Sequence, residues 1–220
     1  IYLVSGINHF PKFFVNDNLS AHDILNINTN YLKDKIIDDE LICNDKSDLI
    51  VLNSQLSINL FNKIYPEFIN KVYKYPIDTT QYLNINNNIN TEKEYDILLC
   101  SSNLERKDKN NEFLINILNN KEFNKYKKCF IGKNFQKFKD INNSLCTGLL
   151  KQKECLKYMN KSKVLLFPSL FDANPNTVRE SYYYKCLPLI SNNIGFYEKF
   201  PDYLVCKTYD EKEWISKIKY

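Results

Sequence analysis

The chain has 220 residues, 25% of them charged, with 30 Lys+Arg against 26 Asp+Glu and a formal net charge of +4. That length suits one large domain or two small ones, and the lysines are spread too evenly for the concentrated basic face of a specific nucleic-acid binder. No apolar run reaches the roughly 18 residues of a membrane span, and no charged-then-apolar leader opens the chain; a peripheral membrane contact stays compatible with this.

Seven cysteines (Cys43, Cys100, Cys129, Cys146, Cys155, Cys186 and Cys206) are odd in number, form no C-x-x-C pair, and several sit in apolar runs. They read as reduced core residues of a cytoplasmic protein rather than as a disulfide framework or zinc ligands. His9 and His22 add no metal constellation, so no metal site is expected.

In chain order, Ile1–Val4 is a short β-rich run, and a chain that begins directly in a strand reads as cut within a domain. His9 follows at the carboxyl end of that run, where open α/β sheets bind ligands; as a lone histidine it also suits a loop or packing role. An amphipathic helix is expected over Asp34–Cys43. Asp48–Leu52 is a strand, Ser54 caps a helix carrying Leu56, Leu60, Phe61 and Ile64, and Lys71–Tyr75 is the next strand, closed by Pro76. The Asn-rich stretch 79–94 has no period and reads as a linker, dividing a partial first domain, 1–78, from a second, 95–220.

The second domain opens with the strand Asp96–Cys100, a polar basic turn from Ser101 to Asn110, and a helix carrying Phe113, Leu114, Ile117 and Leu118. Cys129–Lys133 and Leu145–Leu150 are strands, and Lys151–Lys161 is a helix with Cys155, Leu156 and Met159 inward. Val164–Phe167 has the continuous apolar character of a strand buried on both faces. Asn174 then reads as an N-cap and Pro175 as the first helical residue, with the helix reaching about Lys185 before a strand over Cys186–Ile190. A strand over Tyr203–Cys206 and a helix from Glu211 to Tyr220 follow. This alternation predicts an α/β fold with a doubly wound parallel sheet, preceded by a partial Rossmann-like domain.

Seven residues separate Asp172, before the predicted helix, from Glu180 in its second turn. An anion held on the N–H groups of Asn176, Thr177 and Val178, with Asn174 at the cap, would meet the positive helix end. At about 1.5 Å per residue, Glu180 then stands level with the group attached next, which fits a nucleoside diphosphate with its ribose on Glu180. The spacing alone suits a solvated aspartate and a surface glutamate equally well.

The phrase P-S-x-F-D-x-N-P-N-x-V-x-E, residues 168–180, followed by P-L-I-S-N-N-I-G, residues 188–195, resembles the donor-binding signature of GT-B glycosyltransferases, family 4 in particular. The order DLIVLNS, helix, KVYKYPID similarly resembles the close of that family's first domain, with Pro76 and Asp78 matching its P-x-G-x-D phrase. The resemblance implies a metal-independent, retaining transfer of a sugar from a nucleotide-diphosphate sugar to a glycan or lipid acceptor, without a separate cofactor. Asp172 would serve the donor sugar and Glu180 the ribose, the two taken as the catalytic pair, and Lys107 or Lys109, with Arg106 as a stand-in, would meet the diphosphate. The absence of a D-x-D triplet argues against the metal-dependent glycosyltransferase fold. Three departures stand out: Asp172 where the family has glutamate, Lys185 where it has glycine, and Ser101-Ser102 where it has Gly-Arg. If Lys185 is left-handed it costs about 1–2 kcal/mol, so a differently shaped helix end is expected. The alternative to an enzyme is a degenerate or truncated module that binds a nucleotide sugar without transferring it.

Overall fold

The computed structural model describes residues 2–3, 19–28, 49–75 and 92–219, and the chain divides into two compact units. His9, Pro76, Asp78, the expected helix Asp34–Cys43 and most of the Asn-rich stretch lie outside the described residues.

In the first unit a parallel sheet runs in the order β1 (Tyr2–Leu3), β2 (Ile50–Leu52), β3 (Val72–Lys74). Among the described residues two helices accompany it, α1 (Ala21–Asn26) and α2 (Gln55–Ile64). Each starts at a serine that satisfies a free N–H: Ser20 Oγ accepts from Asp23 at 3.2 Å and Ser54 Oγ from Ser57 at 3.2 Å. The period of α2 buries Leu56, Leu60, Phe61 and Ile64. Two later segments, Leu170–Asn174 and Asn193–Phe196, pack with this unit, because Phe171 and Ala173 join Ala21, Ile24, Ile50 and Leu60 in one apolar cluster.

The second unit is a six-stranded, wholly parallel sheet, formed by β4 (Tyr95–Asn103), β5 (Lys128–Lys133), β6 (Ser144–Gly148), β7 (Ser162–Phe167), β8 (Leu187–Ser191) and β9 (Val205–Cys206). Its spatial order is β6-β5-β4-β7-β8-β9. Four helices connect or flank the strands: α3 (Asn111–Leu118), α4 (Gln152–Asn160), α5 (Asn176–Tyr183) and α6 (Glu211–Lys219). The chain winds outward from β4 in one direction, then returns beside β4 at β7 and winds the other way. That is the doubly wound Rossmann order, and its switch point lies between β4 and β7. The core is built from Ile97, Leu99, Leu114, Phe130, Leu166 and Trp214, all at most 1% exposed.

Gly132 closes the sheet next to that switch point. Its φ is +150°, and a Cβ there would lie 2.2 Å from the Ser101 carbonyl oxygen. Glycine is what fits. Opposite it, the register of β4 against β5 shifts between Cys100 and Asn103, so the β4 ladder bends at Ser101-Ser102 and releases the chain into the basic turn.

Several boundaries differ from the sequence reading. β6 covers Ser144–Gly148 rather than 145–150, and Asp202–Leu204 is a 3₁₀ turn that leaves only Val205–Cys206 as strand. Pro175 is the N-cap of α5, not its first residue, with Asn176 opening the helix. The reason is local: Asp172 Oδ1 accepts the Asn174 N–H at 3.1 Å, an Asx-type turn that holds Asn174 outside the helix. At the other end the expected reshaping does not occur. Lys185 is left-handed, with φ 55°, and the Lys185 N–H donates to Tyr182 O at 3.1 Å while the Cys186 N–H donates to Ser181 O at 2.9 Å. This bond pair is a Schellman motif, and it offsets the strain of a side chain at that position.

Candidate active site at the switch point of the second unit

The basic turn leaves β4 through Leu104, which is fully buried and whose N–H donates to Lys133 O at 2.9 Å. Asn111 Nδ2 donates back to Leu104 O at 3.1 Å, and Asn110 takes the left-handed conformation, φ 52°, that asparagine tolerates. Between these anchors stand Arg106, Lys107, Asp108 and Lys109, with Lys107–Lys109 forming a 3₁₀ turn. Asp108 is buried. It takes Arg106 in a bidentate grip, Nε to Oδ1 at 3.0 Å and a terminal nitrogen to Oδ2 at 2.6 Å. Arg106 is therefore largely committed within the turn, Lys107 is exposed, and Lys109 points along the end of β7. Its Nζ lies 5.2 Å from the centre of the Phe167 ring and 4.0 Å from Asp108 Oδ2.

The turn is tied to the loop after β7. Ser169 Oγ donates to Asp108 O at 2.9 Å, while Ser169 O accepts from Ser191 Oγ at 2.6 Å and from the Tyr209 hydroxyl at 2.7 Å. The loops that leave adjacent strands in opposite directions are thus held together at the carboxyl end of the sheet. At the start of α5, Pro175 has no side-chain acceptor to offer. The N–H groups of Asn176, Thr177 and Val178 have no protein acceptor among the described residues, so they are donors for an anion. Arg179 hydrogen-bonds Asn176 Oδ1 on the same helix face, a cation at the helix start that the sequence reading did not single out.

Glu180 is 7% exposed, and among the described residues its carboxylate accepts from Gln152 alone, Nε2 to Oε1 at 2.6 Å. A carboxylate that deep is costly unless it is well bonded; its second oxygen is not a buried orphan and stays accessible, so a ligand can donate to it. Around it lie two thiols. The neighbouring thiols act on each other, which pulls Cys155 below the ordinary thiol range and, with burial, pushes Cys100 well above it. Burial pushes Cys129, Cys186 and Cys206 up to about 12.

The predicted residues are not all in one place. Arg106, Lys107, Lys109, Asn176, Thr177, Val178 and Glu180 belong to the second unit. Asp172 and Asn174 belong to the first, where Asp172 forms a parallel bridge with Ile194 and its N–H donates to Asn193 O at 3.2 Å. The glycine of the I-G phrase, Gly195, sits in the same segment, and a Cβ there would lie 2.0 Å from the Ala173 oxygen. Gln152 was missed because its partner is 28 positions away; Asp108 was visible in the sequence R-K-D-K, where the cations drew the reading.

Among the described residues no group of three or more His, Cys, Asp or Glu side chains is placed to hold a metal ion, and no helix is long and apolar enough to cross a membrane.

No family model matches the sequence, and no curated protein matches it. Solved structures do. The chain is similar to WaaG, a glycosyltransferase of lipopolysaccharide biosynthesis, at 14% identity and a TM-score of 0.58 over 78% of this chain and 54% of that one. It is similar to TarM of S. aureus, in a complex with Fondaparinux, alpha-GlcNAc-glycerol and UDP, at 12% identity and a TM-score of 0.61 over 80% of this chain and 37% of that one. Against sucrose-phosphate synthase from Thermosynechococcus elongatus the values are 13% and 0.61, over 82% of this chain and 50% of that one. The fold is accordingly the Rossmann-like fold of GT-B glycosyltransferases, and the chain spans about half or less of the length of these proteins.

Proposed function

We propose that the chain is the donor side of a retaining, metal-independent glycosyltransferase of family 4 type, binding a nucleotide-diphosphate sugar for transfer to a glycan or lipid acceptor. One observation carries the reading: a cationic turn, a helix N-terminus without a side-chain cap and a largely buried acid with one accessible oxygen all belong to the loops and helix around the switch point of a doubly wound sheet. In this reading Lys109, Lys107 and the N–H groups of Asn176, Thr177 and Val178 take the diphosphate, whose negative charge grows as the sugar leaves. Glu180 accepts from the ribose, and Asp172, braced by Asn174, serves the donor sugar. Residues 1–78 supply the acceptor side.

A thermal-shift screen against nucleoside diphosphates and their sugars tests the binding half, since a ligand at a hundred times its dissociation constant adds about 2.7 kcal/mol. Hydrolysis or transfer of the sugar tests the chemistry. Arg106 committed to Asp108, together with Ser101-Ser102 in place of Gly-Arg, favours a second reading in which the nucleotide sugar is bound without transfer. A shift with one nucleotide sugar and no turnover with any acceptor selects that second reading; no shift with any of them refutes both.

A further inference from the structure

Gln152 is the first residue of α4 and largely exposed, a position where a glutamine amide ordinarily faces water. Here its Nε2 reaches 2.6 Å from Glu180 Oε1. The helix does not need that contact: Gln152 Nε2 bonds Glu180 and not the backbone of α4, and the residue entering the helix is held by Glu154, whose carboxylate accepts the Lys151 N–H at 3.1 Å. The carboxylate does need it. A Glu side chain turns about a soft terminal torsion, and a donor on one oxygen fixes the plane of the group and so the direction in which the other oxygen accepts.

We propose that Gln152 is a positioning residue for nucleotide recognition: its amide holds Oε1 of Glu180 so that Oε2 is set to accept from a ribose hydroxyl. This rests on the nucleotide reading of the site and adds to it a residue on a different helix and a specificity, ribose over deoxyribose. A lysine or arginine in the same place would hold the carboxylate more tightly but would compete for it with the ligand. The neutral amide orients Glu180 and leaves its charge for the hydroxyl.

The test is calorimetric binding of uridine, adenosine and guanosine diphosphates and their 2′-deoxy counterparts to the 220-residue chain and its Gln152→Ala, Gln152→Glu and Glu180→Gln variants. Alanine is a good helix former, so Gln152→Ala should fold. It should lose roughly 5-fold to 10-fold in affinity for the preferred ribonucleotide and little for its deoxy counterpart. Gln152→Glu puts a second carboxyl against Glu180, where like charges force the pair to share a proton; Cys100 on β4 and Cys155 on α4 are the other titratable groups that feel Glu180. The affinity of that variant relative to wild type for the same diphosphate at each pH, a ratio in which the ligand's own phosphate titration cancels, should recover as pH falls from 8 toward about 5. If Gln152→Ala keeps a ribose preference that Glu180→Gln loses, or loses ribo and deoxy affinity alike, the positioning role is wrong and the nucleotide reading stands. If the wild type binds none of the six diphosphates, the nucleotide reading fails and takes this inference with it.

Discussion

Replacing Glu180 by glutamine separates recognition from folding. The carboxylate is buried and bonded by one amide at 2.6 Å. An amide of the same length can present its oxygen to Gln152, so one charge-assisted hydrogen bond becomes a neutral one, a loss of about 1 kcal/mol. Removing a buried charge returns some of its desolvation cost. The two effects oppose, and the midpoint of thermal unfolding should move by no more than about 2–4 °C. Nucleotide binding has no such compensation, because the bond from a ribose hydroxyl to a charged acceptor is worth about 1.5–3 kcal/mol. Affinity for a nucleoside diphosphate should fall roughly 10-fold to 150-fold, while affinity for inorganic pyrophosphate, which has no ribose, should hold. Titration calorimetry with both ligands reads the difference. Equal affinity of the two proteins for the nucleoside diphosphate, or an equal loss for pyrophosphate, would refute the ribose assignment.

Lys109→Ala should reduce affinity for nucleoside diphosphates about tenfold or more while leaving nucleosides unaffected, and Arg106→Ala should do less because Asp108 already holds that guanidinium; a larger effect of Arg106→Ala in the same titrations would reverse the assignment. With iodoacetamide near pH 8, Cys155 should alkylate before the other described cysteines, since only its thiol is drawn below the ordinary range, and peptide mass spectrometry showing Cys146 ahead of it would contradict this. Burial pushes Asp96 and Glu213 up, but the Lys163 ammonium and Lys127 N–H outweigh it at Asp96, and the Thr208 hydroxyl, with the Lys207 and Thr208 N–H groups, outweighs it at Glu213, so both end below the usual carboxylate range. Their contribution to stability is therefore complete above the unfolded values, about pH 4, and lost as pH falls through the lower folded ones; Asp96→Asn with Glu213→Gln should flatten the acid limb of urea-melt stability, and unchanged slopes would count against it. Lys185→Gly should raise stability by about 1 kcal/mol, read as a higher melting temperature, because the residue is left-handed in a helix-terminal motif.

The strands were legible because their apolar runs are continuous and bounded: Val164–Phe167 lies in β7, and Asp96–Cys100 in β4. The start of α5 was legible only to one residue, since the rule that places proline at the first helical position takes no account of an aspartate two residues earlier that captures the Asn174 N–H. Lys185 shows the opposite error. A missing glycine suggested a different helix end, yet two backbone hydrogen bonds outweigh the strain of a lysine side chain. At the site, what could be read was what lies along one segment: the helix start and Glu180. What could not be read was assembled across segments, such as Gln152 on α4, the Cys100 and Cys155 pair, and Ser169 bonding the carbonyl of Asp108. Periodicity carries no record of such pairings.

The turn between β4 and α3 has three cations within four residues, but Glu105 and Asp108 stand among them, so its net charge is small. A site that worked by a broad positive field would not bury an aspartate in the middle of it. Asp108 instead draws Arg106 into a fixed fork, and its own backbone carbonyl is pinned by Ser169, so the acid spends charge on holding the turn in one shape. What the site offers an anion is local and directional: the exposed Lys107, Lys109 lying along Phe167, and three N–H groups at the head of α5. Directional donors discriminate a diphosphate by its geometry, whereas a charged surface would take any polyanion. That is the physical reason to look for the partner of this site among nucleotides with a defined diphosphate and ribose, and not among nucleic acids or anionic membranes.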